Sequence, residues 1–261
     1  MMKSLNTAAT GMKAQQTNMD VIANNLSNVS TTGFKKARAE FEDLLYDNVK
    51  EPGAATGLNS ISPTGVQVGM GVKTSAVEKD FTQGSTKVTN SAFDMEIQGA
   101  GFFPVQTPNG QIAYTRDGAF KKGPDGRIMD KNGNRLQPEI TIPAEATGVE
   151  ISQTGQVMII TGENTQPQNV GQIQLVSFVN PAGLKAIGGN LFVPSASSGL
   201  PQQGQPGQNG LGALAQGQLE TSNVNIVDEM VNMIQAQRAY ETNSKVIQAA
   251  DQMLQSVNTL R

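Results

Sequence analysis

Residues 5–29, LNTAATGMKAQQTNMDVIANNLSNV, carry a heptad repeat. Two lines of positions seven apart hold only apolar residues or alanine apart from Gln15; they are Leu5, Met12, Met19 and Leu26, then Ala8, Ile22 and Val29. Such a repeat without proline predicts an amphipathic helix that requires a helical partner. We expect this helix to end before Gly33, which suits the left-handed conformation just after a helix.

The C-terminal end of the chain repeats the pattern. The apolar residues of this second stripe are Ile226, Met230, Met233, Tyr240, Ile247 and Leu254. Asn225 is a good N-cap, and Asp228 and Glu229 place negative charge in the first turn, where the helix dipole favours it. The two helices are expected to pair with each other, with neighbouring copies, or both, since packing supplies most of their stability. Each side chain buried in this contact contributes about 1.5–3 kcal/mol.

The middle of the chain, residues 66–219, has the pattern of short antiparallel strands. Phe93-Asp94-Met95-Glu96-Ile97 alternates apolar and polar residues, and turn sequences such as Pro124-Asp125-Gly126 separate short apolar runs. This spacing predicts a sandwich or a small barrel, without helical crossovers. The Gly/Pro-rich stretches 51–65 and 196–212 are expected to bury little and to form an excursion and a linker, or else to be disordered.

The sequence therefore predicts an α+β fold, in which N- and C-terminal heptad helices pair as a coiled coil and flank a central, mainly antiparallel β domain. We divide the chain into an N-terminal helical assembly segment (1–45), an extended stretch (46–72), a β-rich middle domain (73–215) and a C-terminal helical assembly segment (216–261). No apolar run reaches the length of a signal peptide or of a membrane-spanning helix.

The composition excludes most catalytic machinery. The 261 residues include no histidine, cysteine or tryptophan, so disulfides, zinc–thiolate sites and thiol or imidazole catalysis are ruled out. The 19 basic and 22 acidic residues nearly balance, which leaves no basic surface for nucleic acid. Carboxylate catalysis and hard-cation sites stay open.

The local motifs for such chemistry are weak. Asp94 and Glu96 share one face of a predicted strand, about 7 Å apart, near the separation of glycosidase carboxylates, but the alternation equally predicts the solvated face of an outer strand. The calcium-loop-like run that starts at Asp130 has Arg135 in place of the required glycine and is more simply a hairpin turn. The basic residues after the first helix, Lys35, Lys36 and Arg38, have the pattern of a solvated turn. We predict no catalytic, cofactor or metal site and no small-molecule substrate.

Both ends of the chain resemble the signatures shared by flagellar rod and hook proteins. Residues 23–35, ANNLSNVSTTGFK, are similar to the N-terminal signature, and the run from Glu220 to Asn243 is similar to the C-terminal one. The central runs GAGFF (99–103) and YTRDG (114–118) extend the resemblance over essentially the whole chain. The length and the stretch 46–72 are similar to those of distal rod subunits, whose extra stretch makes the polymer straight and stiff.

This resemblance implies a structural, non-enzymatic subunit of the distal rod, a rigid hollow drive shaft that transmits torque from the motor through the periplasm to the hook. Its partners would be further copies of the chain, neighbouring rod and hook axial proteins, and the surrounding bushing rings of the basal body. Export without a cleaved signal peptide would use the flagellar type III apparatus, and Phe41 and Leu45 resemble the element recognised by its gate. The alternative for these two residues is that they simply pack at helical spacing. The alternatives are a proximal rod or hook-like subunit, or a secreted carbohydrate-active domain that uses Asp94 and Glu96.

Overall fold

The computed structural model describes residues 2–52, 55–57, 60–61, 64–161 and 164–259. The chain forms two compact units, each assembled from separate parts of the sequence. We call Met1–Ser27, Ala37–Lys79 and Asn225–Arg261 the helical unit, and Asn28–Lys36 with Asp80–Val224 the β unit.

The helical unit contains both long helices, α1 (Met2–Ser27) and α2 (Ile226–Thr259). Asn225 caps α2 as predicted, because its Oδ1 accepts a hydrogen bond from the Val227 N–H at 3.1 Å. Helix α1 ends at Ser27, before Gly33 as predicted. Gly33 has the expected positive φ of 66°, but it lies six residues beyond the helix, in a turn of the β unit, so its predicted role just after the helix is wrong.

The strands of the helical unit form one long hairpin. They are β1 (Ala37–Asp43), β2 (Tyr46–Lys50), β3 (Ala55–Gly57), β4 (Ser60–Ile61), β5 (Val66–Gly69) and β6 (Val72–Lys79). The antiparallel pairs β1–β6, β2–β5 and β3–β4 are nested, and α1 packs against β1 and β6. Residues 37–43 therefore form a strand and are not helical. Their polar sequence, ARAEFED, gives no local sign of this pairing. Within the predicted excursion 51–65, β3 and β4 are likewise paired, and residues 53–54, 58–59 and 62–63 lie outside the described residues.

The strands of the β unit are short. They are β7 (Thr86–Val88), β8 (Met95–Gln98), β9 (Phe103–Gln106), β10 (Ile112–Thr115), β11 (Phe120–Lys122), β12 (Ile128–Asp130), β13 (Arg135–Leu136), β14 (Ala146–Ile151), β15 (Gln156–Thr161), β16 (Asn164–Gln172), β17 (Leu175–Ser177), β18 (Lys185–Gly188), β19 (Leu191–Val193), β20 (Gln202–Gly204), β21 (Ala213–Gln216) and β22 (Gln218–Glu220). Antiparallel pairing gives a seven-stranded sheet, β11-β12-β13-β9-β10-β19-β18, a three-stranded sheet, β14-β15-β16, and three separate pairs, β17–β20, β8–β21 and β7–β22. A short 3₁₀ helix spans Pro181–Gly183.

Two apolar clusters hold the β unit together. The larger one is centred on fully buried residues such as Phe103, Val105 and Phe120. The smaller one is aromatic; Tyr114 and Phe178 meet edge to face with ring centroids 4.9 Å apart. The stretch 196–212 belongs to this structure and is not a linker, because its strand β20 pairs with β17 and its Leu211 joins the larger cluster.

The observed architecture is α+β, as predicted, with terminal helices and a central antiparallel region. In the part of the chain that the structure describes, no helix is both long enough and apolar enough to span a membrane.

The turn at Gly33 provides a stability test of the β unit. A Cβ added there would lie 2.6 Å from the backbone nitrogen of Asp117, in addition to the strain of a positive φ. We expect Gly33→Ala to lower the free energy of unfolding by about 3 kcal/mol in chemical denaturation. The matched control is Gly133→Ala, whose φ is 82° but whose Cβ would meet nothing within 4 Å, and which should cost about 1 kcal/mol. Equal costs at the two positions would contradict the close contact.

Candidate assembly surfaces

The helices α1 and α2 pack against each other in antiparallel directions. Two contacts fix the register: a Cβ at Gly11 would lie 3.0 Å from the Asn243 Nδ2, and the Asn25 Nδ2 donates to the Glu229 Oε2 at 3.3 Å. In both contacts the two residue numbers add up to 254, since 11 and 243 face each other, as do 25 and 229. Other facing residues of the two antiparallel helices follow the same sum. This register places α1 beside residues 227–252 of α2.

Small and polar residues occupy the centre of this contact. Ala8 and Ala14 of α1 and Ala236 and Ala250 of α2 are all buried, which lets the helix backbones approach closely. Asn25 is also buried and exchanges two 2.8 Å hydrogen bonds with the backbone of Ala37. A buried polar residue of this kind specifies register, because any shift would leave its amide without partners.

The predicted heptad residues divide into two groups. Ile22 is buried, and those that are half-buried are Leu5, Met12, Met19, Leu26, Val29, Met233, Ile247 and Leu254. Ile226, Met230 and Tyr240 are exposed on α2, so within one chain they do not bury against α1, and their burial against a neighbouring copy stays a prediction. Ile226 would face position 28, one residue beyond the end of α1. Met230 is turned about 100° around α2 from the buried Glu229.

The first turns of α2 are apolar on a second face as well. Val227 is 67% exposed, and Met230, Val231 and Ile234 are also exposed, at spacings of three, four and seven residues that place them together. The outer face of α1 is instead polar, with Lys13, Gln16 and Asp20 exposed. Apolar side chains in one contiguous exposed patch mark an interaction surface.

The outer part of the hairpin carries a second exposed apolar surface. It consists of Leu45, Tyr46, Val49, Val66, Val68 and Met70. Leu45 is 83% exposed, and Phe41 lies at a register shift in β1, also exposed. Phe41 and Leu45 therefore belong to an extended chain, and the possibility of packing at helical spacing is wrong.

A buried cluster of charges lies in the β unit, which we call the Glu220 cluster: Lys35, Glu96, Arg116 and Glu220. Lys35 is only 1% exposed, and its Nζ lies 2.6 Å from the Glu220 Oε1. The Arg116 Nη1 lies 3.3 Å from the Glu220 Oε2. The interpretation of Lys35 as part of a solvated turn is therefore wrong, although Arg38 is exposed and Lys36 partly so.

Glu96 is the second anion of this cluster. It is 1% exposed, and its Oε1 accepts hydrogen bonds from Gln83 at 3.0 Å and Thr86 at 2.9 Å. The predicted alternation along β8 is wrong at this point, because Met95, Glu96 and Ile97 are all buried between pairing elements. Glu96 is thus not on a solvated face, and the pair Asp94 and Glu96 is not an accessible carboxylate site.

Burial dominates the electrostatics of the two cations. It lowers the pKa of Lys35, against the opposing attraction of Glu220. It also lowers the pKa of Arg116, against the attraction of Glu220 and Glu96. Two positive and two negative groups balance within the cluster, which makes their burial tolerable.

Other predicted sites have plain structural explanations. The Asp130 loop is a hairpin turn between β12 and β13, as predicted, and the Asp130 Oδ1 accepts backbone hydrogen bonds from Asn132 and Asn134. Among the described residues, no group of three or more Asp and Glu side chains could hold a metal ion.

Comparisons of the sequence with known proteins identify its family. Three family models match: "Flagella basal body rod protein" over residues 5–35, "Flagellar hook protein FlgE/F/G D1 domain" over residues 96–159, and "Flagellar basal body rod FlgEFG protein C-terminal" over residues 215–260. The flagellar basal-body rod protein FlgG of Buchnera aphidicola subsp. Baizongia pistaciae is 50% identical over the full length of both chains. The chain belongs to the flagellar basal-body rod protein family.

Two further rod proteins named FlgG show the same level of similarity. Those of Caulobacter vibrioides and Borreliella burgdorferi are each 49% identical, and the matches cover all of this chain and 100% and 99% of the relatives. The predictions of a flagellar rod protein and of a structural, non-enzymatic role in the basal body are confirmed.

Sequence reasoning missed two features of this rod protein. The second apolar face of α2 could have been found, because Val227, Met230 and Ile234 stand at helical spacing beside the heptad line. The Glu220 cluster left no local signal, since Lys35 and Glu220 are 185 residues apart. Lys35, Arg116 and Glu220 do lie in three different segments of the flagellar resemblance, which was the available hint.

Proposed function

We propose that the chain is a subunit of the distal rod and polymerises into a rigid, hollow, tubular drive shaft that transmits torque from the motor to the hook. The proposal rests on the observation that α2 has two apolar faces. One face of this helix packs on α1, while Val227, Met230, Val231 and Ile234 lie uncovered on another. A second copy of the chain is the partner that such a face fits best.

The helices supply the repeating contact. In this proposal α1 and α2 pair as an antiparallel coiled coil, and the assembly interface consists of Leu5, Met12, Met19, Ile22, Leu26, Val29, Ile226, Met230, Met233, Tyr240, Ile247 and Leu254. The outer face of α1 is polar and that of α2 apolar, so one surface would contact a different surface on the next copy. A head-to-tail contact that does not close on itself generates a helical filament.

The hairpin gives the polymer its stiffness. Its strands are held by backbone pairing, and its exposed apolar side chains, such as Tyr46, Val49 and Val68, would pack between neighbouring copies. The hairpin surface lies beside the first turn of α1, where Lys3 pairs with Asp47, at the opposite end of the helix pair from Val227 and Ile234. A second contact there resists bending, because two separated contacts fix an orientation better than one.

The partners and location follow from the same proposal. The rod would cross the periplasm in the basal body, join neighbouring rod and hook axial proteins end to end, and turn inside the bushing rings. The subunit would leave the cell through the flagellar type III export apparatus without a cleaved signal peptide. Phe41 and Leu45 are exposed on extended chain, which would let the export gate bind them.

Substitution on the uncovered face of α2 tests the proposal. We expect Met230→Ser with Ile234→Ser to cost about 2 kcal/mol per subunit contact, because each half-exposed side chain would bury its remaining surface on assembly. The critical concentration for polymerisation, measured by sedimentation, should rise roughly 30-fold. The control is Asn232→Ser with Gln235→Ser, two exposed polar positions elsewhere on α2. An unchanged critical concentration for the apolar pair would contradict the proposed interface.

A further inference from the structure

The Glu220 cluster joins the two places where the chain passes between the β unit and the terminal helices. Lys35 follows α1 by eight residues, and Glu220 precedes α2 by six. Beyond the ion pair, the Gly33 N–H donates to the Glu220 backbone oxygen at 2.9 Å, and the Lys36 N–H donates to the Asn223 Oδ1 at 2.8 Å. Residues 33–36 and 220–223 are therefore fastened side by side.

The same carboxylate holds further segments of the β unit. The Glu220 Oε1 also accepts a hydrogen bond from the Gly84 N–H at 2.8 Å, and the Lys35 Nζ donates to the Thr82 oxygen at 2.6 Å. Arg116 adds a 2.6 Å bond from its Nη2 to the Gly99 oxygen. Glu220 thus receives donors from three separated segments while it is only 2% exposed.

Because the charged groups of the Glu220 cluster are buried, each of them needs partners that compensate its charge. Removing one partner of a buried charge cluster leaves another charge without compensation, which is far more costly than losing an exposed ion pair. The exposed pair of Arg127 and Glu139, 3.2 Å apart in the same unit, has both side chains about a third exposed and provides a contrast.

We propose that Glu220, through Lys35 and Arg116, is a positioning residue that clasps the ends of α1 and α2 together so that the two helices pair. The chain between the two helices runs from residue 28 to residue 225. Because Lys35 and Glu220 are bonded to each other, only the short segments 28–35 and 220–225 lie between the clasp and the helix ends. The inference rests on the proposed function in that the paired helices form the assembly surface.

Loss of the clasp should lower the effective concentration of one helix for the other. With segment 28–36 released, α1 still packs on the hairpin 37–79, which joins the β unit at Asp80. The end of α1 then follows the hairpin and is no longer fixed beside Glu220, so α1 meets α2 less often.

A disulfide reporter measures this effect directly. The chain has no cysteine, and a Cβ at residue 11 would lie 3.4 Å from the Asn243 Cγ, so Gly11→Cys with Asn243→Cys can form one bond between α1 and α2. The rate of bond formation in oxidised glutathione is measured on dilute monomer, in the parent and with Glu220→Gln. We expect Glu220→Gln to slow it several-fold, while amide exchange of Phe103 and Val105 shows a folded β unit.

The controls separate positioning from stability. Glu139→Gln removes an exposed charge from the same unit and should leave the rate unchanged. If Glu220→Gln unfolds the β unit, Lys35→Met replaces it, because Glu220 then keeps Arg116 and Gly84 as partners. A rate within twofold of the parent in a folded variant would overturn the clasp. The assay needs no polymer, so polymerisation of the unmodified chain tests the proposed function separately.

Discussion

Removal of residues 225–261 is expected to abolish polymerisation and to leave the β unit folded. The truncation deletes α2 and therefore both its apolar faces, the one that packs on α1 and the one that is uncovered. The buried residues of α1, such as Ala14 and Ile22, then lose their partner helix. With several side chains contributing about 1.5–3 kcal/mol each, no polymer should form at any accessible concentration.

The truncation should leave the β unit intact. Its last strand, β22, and its buried clusters lie before residue 225. Amide exchange of core residues such as Phe103 and Val157 should stay as slow as in the full chain. Electron microscopy of the truncated chain should show no filaments. Filaments of normal length from the truncated chain would rule out the helices as the assembly element.

Shortening the hairpin is expected to give a polymer that forms but bends. The Met70 N–H donates to the Leu45 oxygen at 3.1 Å, so residues 46–69 can be replaced by an Asn-Gly turn without moving the remaining strands. The change removes four exposed apolar side chains, Tyr46, Val49, Val66 and Val68, each able to contribute about 1 kcal/mol between copies. Filament curvature in electron micrographs should increase several-fold.

A full-length control separates hairpin length from side-chain contacts. Tyr46→Ser, Val49→Ser and Val68→Ser together keep the backbone pairing of β2 with β5 while removing apolar surface. We expect this variant to bend as well, and to a lesser degree. Straight, stiff rods from the shortened chain would show that the hairpin does not set the stiffness.

The sequence was most informative where local periodicity is strong. The heptad lines located both helices, and the Asn225 cap fixed the start of α2 to the residue. In the β unit the predicted turn Pro124-Asp125-Gly126 separates β11 from β12, and Gly126 has a positive φ of 76°. The fold class could therefore be predicted from the residues alone.

The positions that were predicted wrongly have one thing in common: their structure is determined by residues that are distant in the sequence. The polar strand Ala37–Asp43 is defined by pairing with Val72–Lys79. Lys35 is buried because Glu220 meets it from 185 residues away. Within one chain Ile226 is exposed because α1 ends before reaching it, which depends on the antiparallel register. None of these can be obtained from the residues near the position in question.

Electron cryo-microscopy of the concentrated, unmodified chain shows directly whether copies assemble through the uncovered face of α2. We predict straight, hollow filaments whose channel is lined by α1 and α2, with Met230 and Ile234 at the contact between copies. A chain that stays monomeric at the highest attainable concentration, or filaments in which Met230 and Ile234 face solvent, would contradict assembly through this face.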